Sequence, residues 1–170
     1  TLLRNGADKI VINSILFENQ KKIIELANNF GKQCVVASID YKINKNKNFE
    51  VYINSGNKNT GINIQTYIEN ILKLPIGEIY LNSIDKDGTG QGMELSVLEL
   101  IPKNIPTPLI FSGGVGKWEH MYECLKSEKV DAVATANLFN FVNNGLEITR
   151  KELSKNGIMI PSWKNDKFKF

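Results

Sequence analysis

Three stretches of this 170-residue sequence place carboxylates, hydroxyls and glycines directly after short apolar runs. Ser38-Ile39-Asp40 follows Val35-Val36-Ala37, and Ser83-Ile84-Asp85-Lys86-Asp87-Gly88-Thr89-Gly90-Gln91-Gly92 follows Ile79-Tyr80-Leu81. Ser112-Gly113-Gly114 follows Leu109-Ile110-Phe111. A carboxylate that ends an apolar run is partly desolvated, which raises its pKa toward the range useful to a general acid or base. Asp40 is the candidate for that role, the alternative being a carboxylate satisfied by neighbouring backbone amides; Asp85 carries the same ambiguity. Glycine-rich turns let consecutive amides converge and so suit an anion held without a metal. Asp87-Gly88-Thr89, Ser112-Gly113-Gly114 and Ala136-Asn137 are three such places at consecutive strand ends, and their recurrence points to a phosphate. Asn13-Ser14 offers a second, opposed site, so that a ligand with two phosphates would span the mouth.

These tips need strands beneath them and helices between them. Ile10-Val11-Ile12 reads as a short buried strand. From Asn19 to Phe30 apolar positions recur at helical spacing, and Gly31 supplies the stop. A second strand runs from Cys34 to Asp40, after which a polar stretch from Lys42 to Gly61 delays the helix. Within it Phe49 to Ile53 alternates and Asn54-Ser55-Gly56 turns, which predicts a hairpin on the tip face, where long loops usually cover a site. A helix is expected over 64–74, a strand over 78–82, a weaker helix over 93–100 and a strand over 108–112. A helix over 117–127, a strand over 131–136 and a last helix over 145–156 follow. Five strand–helix cycles are thus expected, the layout of a parallel α/β protein with its active face at the strand carboxyl ends. The echo of Ser38-Ile39-Asp40 in Ser83-Ile84-Asp85 fits a duplicated half-barrel unit. The end of the chain, 161–170, reads as a loose tail.

The totals narrow the classes. A hydrophobic content of 42% in this length supports one globular domain, and a net charge of +3 spread among carboxylates gives no basic stripe for nucleic acid. Cys34 and Cys124 both sit in apolar settings and read as reduced core thiols of a cytoplasmic protein; no membrane span or signal peptide is expected. The sole histidine, His120, falls in a helical pattern and is expected at the surface, which argues against Ser/His/Asp hydrolysis and against histidine-based zinc sites. No metal or cofactor is called for. Lys9 and Glu78 stand at the starting ends of strands and read as an ordinary surface pair or, if buried, as a gate. Thr1 to Gly6 reads as the last turn of a helix closed by Gly6, so the chain is expected to be preceded by further sequence.

Taken in order, Gly6-Ala7-Asp8-Lys9, Cys34-Val35-Val36-Ala37-Ser38-Ile39-Asp40, Lys58-Asn59-Thr60-Gly61, Gly77-Glu78-Ile79, Ser83 to Thr89 and Ser112-Gly113-Gly114 resemble the cyclase subunit of imidazole glycerol phosphate synthase (the HisF family). The resemblance implies a (βα)8 TIM barrel of which this chain holds strands four to eight. It also implies a lyase of histidine biosynthesis that takes ammonia from a glutaminase (HisH-type) partner in a heterodimer. The implied substrate is a bisphosphorylated ribulosyl aminoimidazole carboxamide ribotide, and the products are imidazole glycerol phosphate and aminoimidazole carboxamide ribotide. By position it implies Asp40 as one of two catalytic aspartates and Asn13 and Ser14 as one phosphate site. Asp87, Gly88, Gly114, Ala136 and Asn137 are then the other site, and Lys9 and Glu78 belong to the ammonia gate.

Two departures matter. The other catalytic aspartate of that family lies on its first strand, so half of the acid/base pair is expected to be missing and the chain alone to be inactive. Asn82 and Asn137 stand where Thr and Ser are expected. Together with Gln91-Gly92, they resemble instead a paralogous branch that supplies ammonia for acetamidino modification of surface-polysaccharide or flagellar sugars. A third possibility is a noncatalytic phosphate-binding or ammonia-conducting scaffold.

Overall fold

Alternating burial along the strands explains how this chain builds one covered face and one functional face. The computed structural model describes residues 2–141 and 143–161. Its parallel strands are β1 (Ile10–Ile12), β2 (Val35–Ile43), β5 (Glu78–Ser83), β6 (Leu109–Ser112) and β7 (Ala132–Ala134). The antiparallel hairpin β3 (Phe49–Ile53) and β4 (Lys58–Asn63) completes a seven-stranded sheet in the order β4-β3-β2-β5-β6-β7, with β1 paired to β2. One edge of β2 is shared: β1 takes Val35 to Ala37 and β3 takes Asp40 to Ile43. The hairpin therefore stands above β1, on the tip side, as its alternation and turn residues predict.

Side chains on successive strand residues point to opposite faces. Val35, Ala37, Ile39 and Tyr41 of β2, Ile79 and Leu81 of β5, and Leu109 and Phe111 of β6 are fully buried. They pack in one core with Ile23 of α2 (Gln20–Phe30), Ile64, Ile68 and Ile71 of α3 (Ile64–Ile71), and Cys124 of α4 (Trp118–Leu125). Burying each such aliphatic side chain contributes about 1.5–3 kcal/mol, so this layer dominates the stability of the fold. The opposite face carries Asp40, Glu78, Tyr80, Asn82 and Ile110, all partly exposed, and Val11 at 63%.

Local chemistry sets the element ends. Asn19 and Asn63 accept from the backbone N–H of Lys22 and Thr66, capping α2 and α3. Gly31 closes α2 with φ 87°. α3 stops at Ile71, short of the expected Leu74, because Pro75 disfavours the helical conformation at the residue before it. The weaker helix over 93–100 is a 3-10 turn, Leu95–Leu100, braced by the Lys129 ammonium, which donates to the carbonyls of Leu98 and Ile101 at 2.6 Å each. Two short helices were not foreseen: α1 (Ser14–Glu18) directly after β1 and α5 (Asn137–Phe141) directly after β7. The last helix is α6 (Gly145–Lys155). Residues 162–170 of the expected tail lie outside the described residues. Among the described residues, no helix is long and apolar enough to cross a membrane.

Candidate active site

Strand register brings polar side chains to one height at the carboxyl ends of the parallel strands. Asp40 pairs in register with Asn82, Asn82 with Ser112, and Ser112 with Ala134. The Asn82 carboxamide donates to Asp40 Oδ1 at 3.4 Å. Burial pushes the Asp40 carboxyl up from its usual range; the Asn82 hydrogen bond opposes the rise and the nearby Asp87 charge adds to it. A carboxyl so placed can hold or release a proton closer to neutrality than a solvated aspartate does.

Beside this rung lies a pocket of about 280 Å³, lined by Tyr80, Asn82, Asp87, Gly88, Ser112 to Val115 and Ala134 to Ala136. That is near the lower end of small-molecule sites. Two glycine-rich loops close it. The backbone N–H of Gly92 donates to Gly114 O at 2.8 Å, and Gly113 and Gly114 have φ of 99° and 96°. A methyl group at Gly114 would collide with the Gly92 carbonyl, so glycine is required there both by conformation and by close approach. His120 supports this junction: its Nδ1 accepts the Gly116 N–H at 3.1 Å. It lies partly exposed at the surface, as expected, and the loop at Gly116 folds back over the start of α4 to meet it. Burial lowers its pKa, with the Lys117 charge adding to the effect.

The expected phosphate residues separate into groups. Asp87, Gly88, Ser112, Gly113, Gly114 and Ala136 line the pocket together. Asn137 follows at the start of α5, and its side chain lies outside the described part of the structure. Thr89 and Asp85 do not line it. Thr89 Oγ1 donates to Lys86 O and accepts from Gln91 N–H, holding the loop. Asp85 Oδ2 accepts the Ile43 N–H at 3.0 Å, tying the loop to the end of β2. The amide of Asp87 donates to Ser83 O, so this residue presents a carboxylate, and not a backbone donor, to the pocket. Asn13 and Ser14 stand at the end of β1, on the other side of Asp40. Asn13 Nδ2 donates to Ser38 O, and Ser14 Oγ is linked to the hairpin turn at Asn54, through the Asn54 N–H and side chain. Tyr80, missed in the sequence, lines the pocket; the only available signal was its strand parity with Glu78 and Asn82.

At the opposite end of the strands, Lys9 Nζ and Glu78 Oε1 form an ion pair at 2.5 Å, with side chains 49% and 22% exposed. Cys34 and Cys124 are both free thiols, and burial pushes Cys124 up to about 12. Among the described residues, no group of three His, Cys, Asp or Glu side chains converges as a metal site.

A histidine biosynthesis protein family matches residues 1–143. Similar proteins include three named imidazole glycerol phosphate synthase subunit HisF. The one from Lactococcus lactis subsp. cremoris (strain SK11) is 42% identical over 158 residues, 92% of this chain and 61% of that protein. That from Clostridium botulinum (strain 657 / Type Ba4) is 41% identical over 94% of this chain and 63% of its own length. The Hydrogenobaculum sp. (strain Y04AAS1) protein is 38% identical over the same shares. The chain thus spans 61% to 63% of the length of these curated relatives. Their similarity along nearly the whole chain, on a parallel α/β sheet with its glycine-rich loops at the strand carboxyl ends, shows that it belongs to the histidine biosynthesis protein family, with the HisF subunits of imidazole glycerol phosphate synthase among its relatives.

Proposed function

We propose that this chain contributes the phosphate-binding side and one acid/base group of an imidazole glycerol phosphate synthase cyclase. Its five parallel strands correspond in this reading to strands four to eight of a TIM barrel. The support is physical: purely parallel strands are nearly always covered on both faces, and here helices cover one face while the other carries the pocket. The relatives' greater length agrees with three further strands.

The reaction joins ammonia to a bisphosphorylated ribulosyl aminoimidazole carboxamide ribotide and divides it into imidazole glycerol phosphate and aminoimidazole carboxamide ribotide. Asp40 shuttles protons during ring closure and cleavage, with its raised pKa suited to that exchange. One substrate phosphate sits against Gly88, Gly113, Gly114 and Ala136, with Asn137 next to it. Asn13 and Ser14 meet the other. The Asp87 carboxylate accepts from a ligand hydroxyl, since a second negative charge facing the phosphate itself would repel it. Lys9 and Glu78 mark the entrance for ammonia from a glutaminase partner at the far end of the strands. No cofactor or metal enters this scheme, and a cytoplasmic setting suits it.

The observation that carries the reading is the half-buried Asp40 on one rung with Asn82 and Ser112, beside a glycine-closed pocket. Its test is ammonia-dependent conversion of the bisphosphorylated substrate by the whole protein that carries this chain, with Asp40→Asn as control. Turnover that the substitution abolishes supports the assignment, and the chain by itself is expected to show none. A folded whole protein without turnover overturns it.

A further inference from the structure

Tyr80 and Ser112 occupy the same face of adjacent parallel strands, one rung apart. In register Tyr80 pairs with Ile110, two residues before Ser112. A diagonal neighbour at that offset is within reach of an aromatic side chain, and the Tyr80 hydroxyl donates to Ser112 Oγ at 2.8 Å. Both residues line the pocket closed by Gly113 and Gly114. Ser112 is only 7% exposed, so the orientation of its hydroxyl is set by its surroundings and not by bulk water.

A serine hydroxyl has one proton to give and two lone pairs to accept with. The phenol is the more acidic of the two hydroxyls and is the natural donor. Once Tyr80 fills one lone pair, the Ser112 proton turns away from the phenol. The pocket is the direction in which a ligand oxygen can receive it. Donation from Tyr80 also polarises the Ser112 O–H, making it a better donor to an anion.

We propose that Tyr80 is a positioning residue for anion binding: it holds Ser112 Oγ as a donor to a phosphate-monoester oxygen. The proposal rests on the phosphate reading of this pocket given above. The Tyr80 hydroxyl acts on the ligand's oxyanion through Ser112, and the effect of removing it therefore depends on whether the serine hydroxyl is present.

The test is a double-mutant cycle on the whole protein that carries this chain, with inorganic phosphate as the probe and calorimetry or phosphorus NMR as the readout. Tyr80→Phe, which removes one atom, is expected to weaken phosphate binding about fivefold, the size of one neutral hydrogen bond. Ser112→Ala is expected to weaken it at least as much, and adding Tyr80→Phe to Ser112→Ala to change nothing further. Ser112→Thr, which keeps the hydroxyl, is expected to restore the sensitivity to Tyr80→Phe. Additive losses, or a Tyr80→Phe variant that binds like the wild type, overturn the role of Tyr80 while leaving the phosphate site intact. A folded wild-type whole protein that does not bind phosphate overturns the phosphate reading and this proposal with it.

Discussion

Asn82 stands directly across from Asp40 on the neighbouring parallel strand and gives its carboxamide N–H to the aspartate's Oδ1. The bond favours the ionised carboxylate, against the burial that favours the protonated acid. Replacing Asn82 with Leu removes the opposing influence, so the Asp40 pKa is expected to rise further. In the whole protein, the acidic limb of the pH–rate profile should then move to higher pH. Asp40→Asn should lower turnover about 10²- to 10⁴-fold, the usual contribution of a general acid or base. A profile unmoved by Asn82→Leu would separate Asp40 from the rate-determining ionisation.

Asp40 also links pH to stability. Its folded pKa is raised, so folding favours the protonated form; this contribution is fully present below the unfolded value of 3.8 and is lost as pH rises through the folded pKa. Asp40→Asn is therefore expected to melt higher than the wild type near neutral pH, with the gap closing in acid. Thermal melts of the two proteins at several pH values measure it, and parallel curves would contradict it.

His120 has the opposite sign. Its Nδ1 must be unprotonated to accept the Gly116 N–H, and its pKa is lowered from 6.5. Its contribution is fully present above 6.5 and is lost as pH falls through the depressed folded pKa. His120→Gln can keep an acceptor and does not titrate. The wild type is expected to lose stability relative to this variant as pH falls below 6.5 and through the depressed folded pKa. Equal losses in both proteins would remove His120 as the cause.

Gly114 and Gly61 distinguish crowding from conformation. Both have positive φ, but a methyl group would meet the Gly92 carbonyl at Gly114 and nothing within 4 Å at Gly61. Gly61→Ala should cost about 1 kcal/mol from the left-handed backbone alone. Gly114→Ala should cost about 2–4 kcal/mol and weaken phosphate binding, because the two loops must part. Denaturant unfolding of both variants compares them directly.

Tyr41 is fully buried, and its hydroxyl makes no hydrogen bond of good geometry, although Ser83 is near enough to act on its ionisation. An unsatisfied buried hydroxyl costs about 1–3 kcal/mol. Tyr41→Phe keeps the ring against Phe49, with centroids 5.8 Å apart, and is expected to leave stability unchanged or raise it by about 1 kcal/mol. A clear loss would reveal a hydrogen bond that the hydroxyl makes in solution.

Much of the architecture was legible because it rests on local signals. Apolar runs located the five parallel strands, and Phe49 to Ile53 with Asn54-Ser55-Gly56 located the hairpin. Gly31 stood where the end of α2 needs positive φ, whereas the caps at Asn19 and Asn63 came to light only in the structure. The motifs quoted in the sequence pointed to the family that the comparisons show. Residue type alone marked Asp40 as a carboxylate at an apolar strand's end and Gly113-Gly114 as a tight turn.

What the tertiary structure decided was height and direction. Period-two alternation puts Glu78, Tyr80 and Asn82 on one face, but it does not say which residue of the next strand lies opposite; backbone pairing between distant segments sets that register. Only then do Asp40 and Asn82 meet, and Tyr80 reach Ser112. Beyond Ser83 the strand ends and alternation no longer governs, so Asp85 turns to the Ile43 amide while Asp87 lines the pocket. His120 followed helical spacing yet came to brace a loop, because the fold of Gly116 over α4 is a contact that helical periodicity cannot encode. The residue types came from the chain; their shared site came from pairing, loop closure and exclusion of water by segments far apart in sequence.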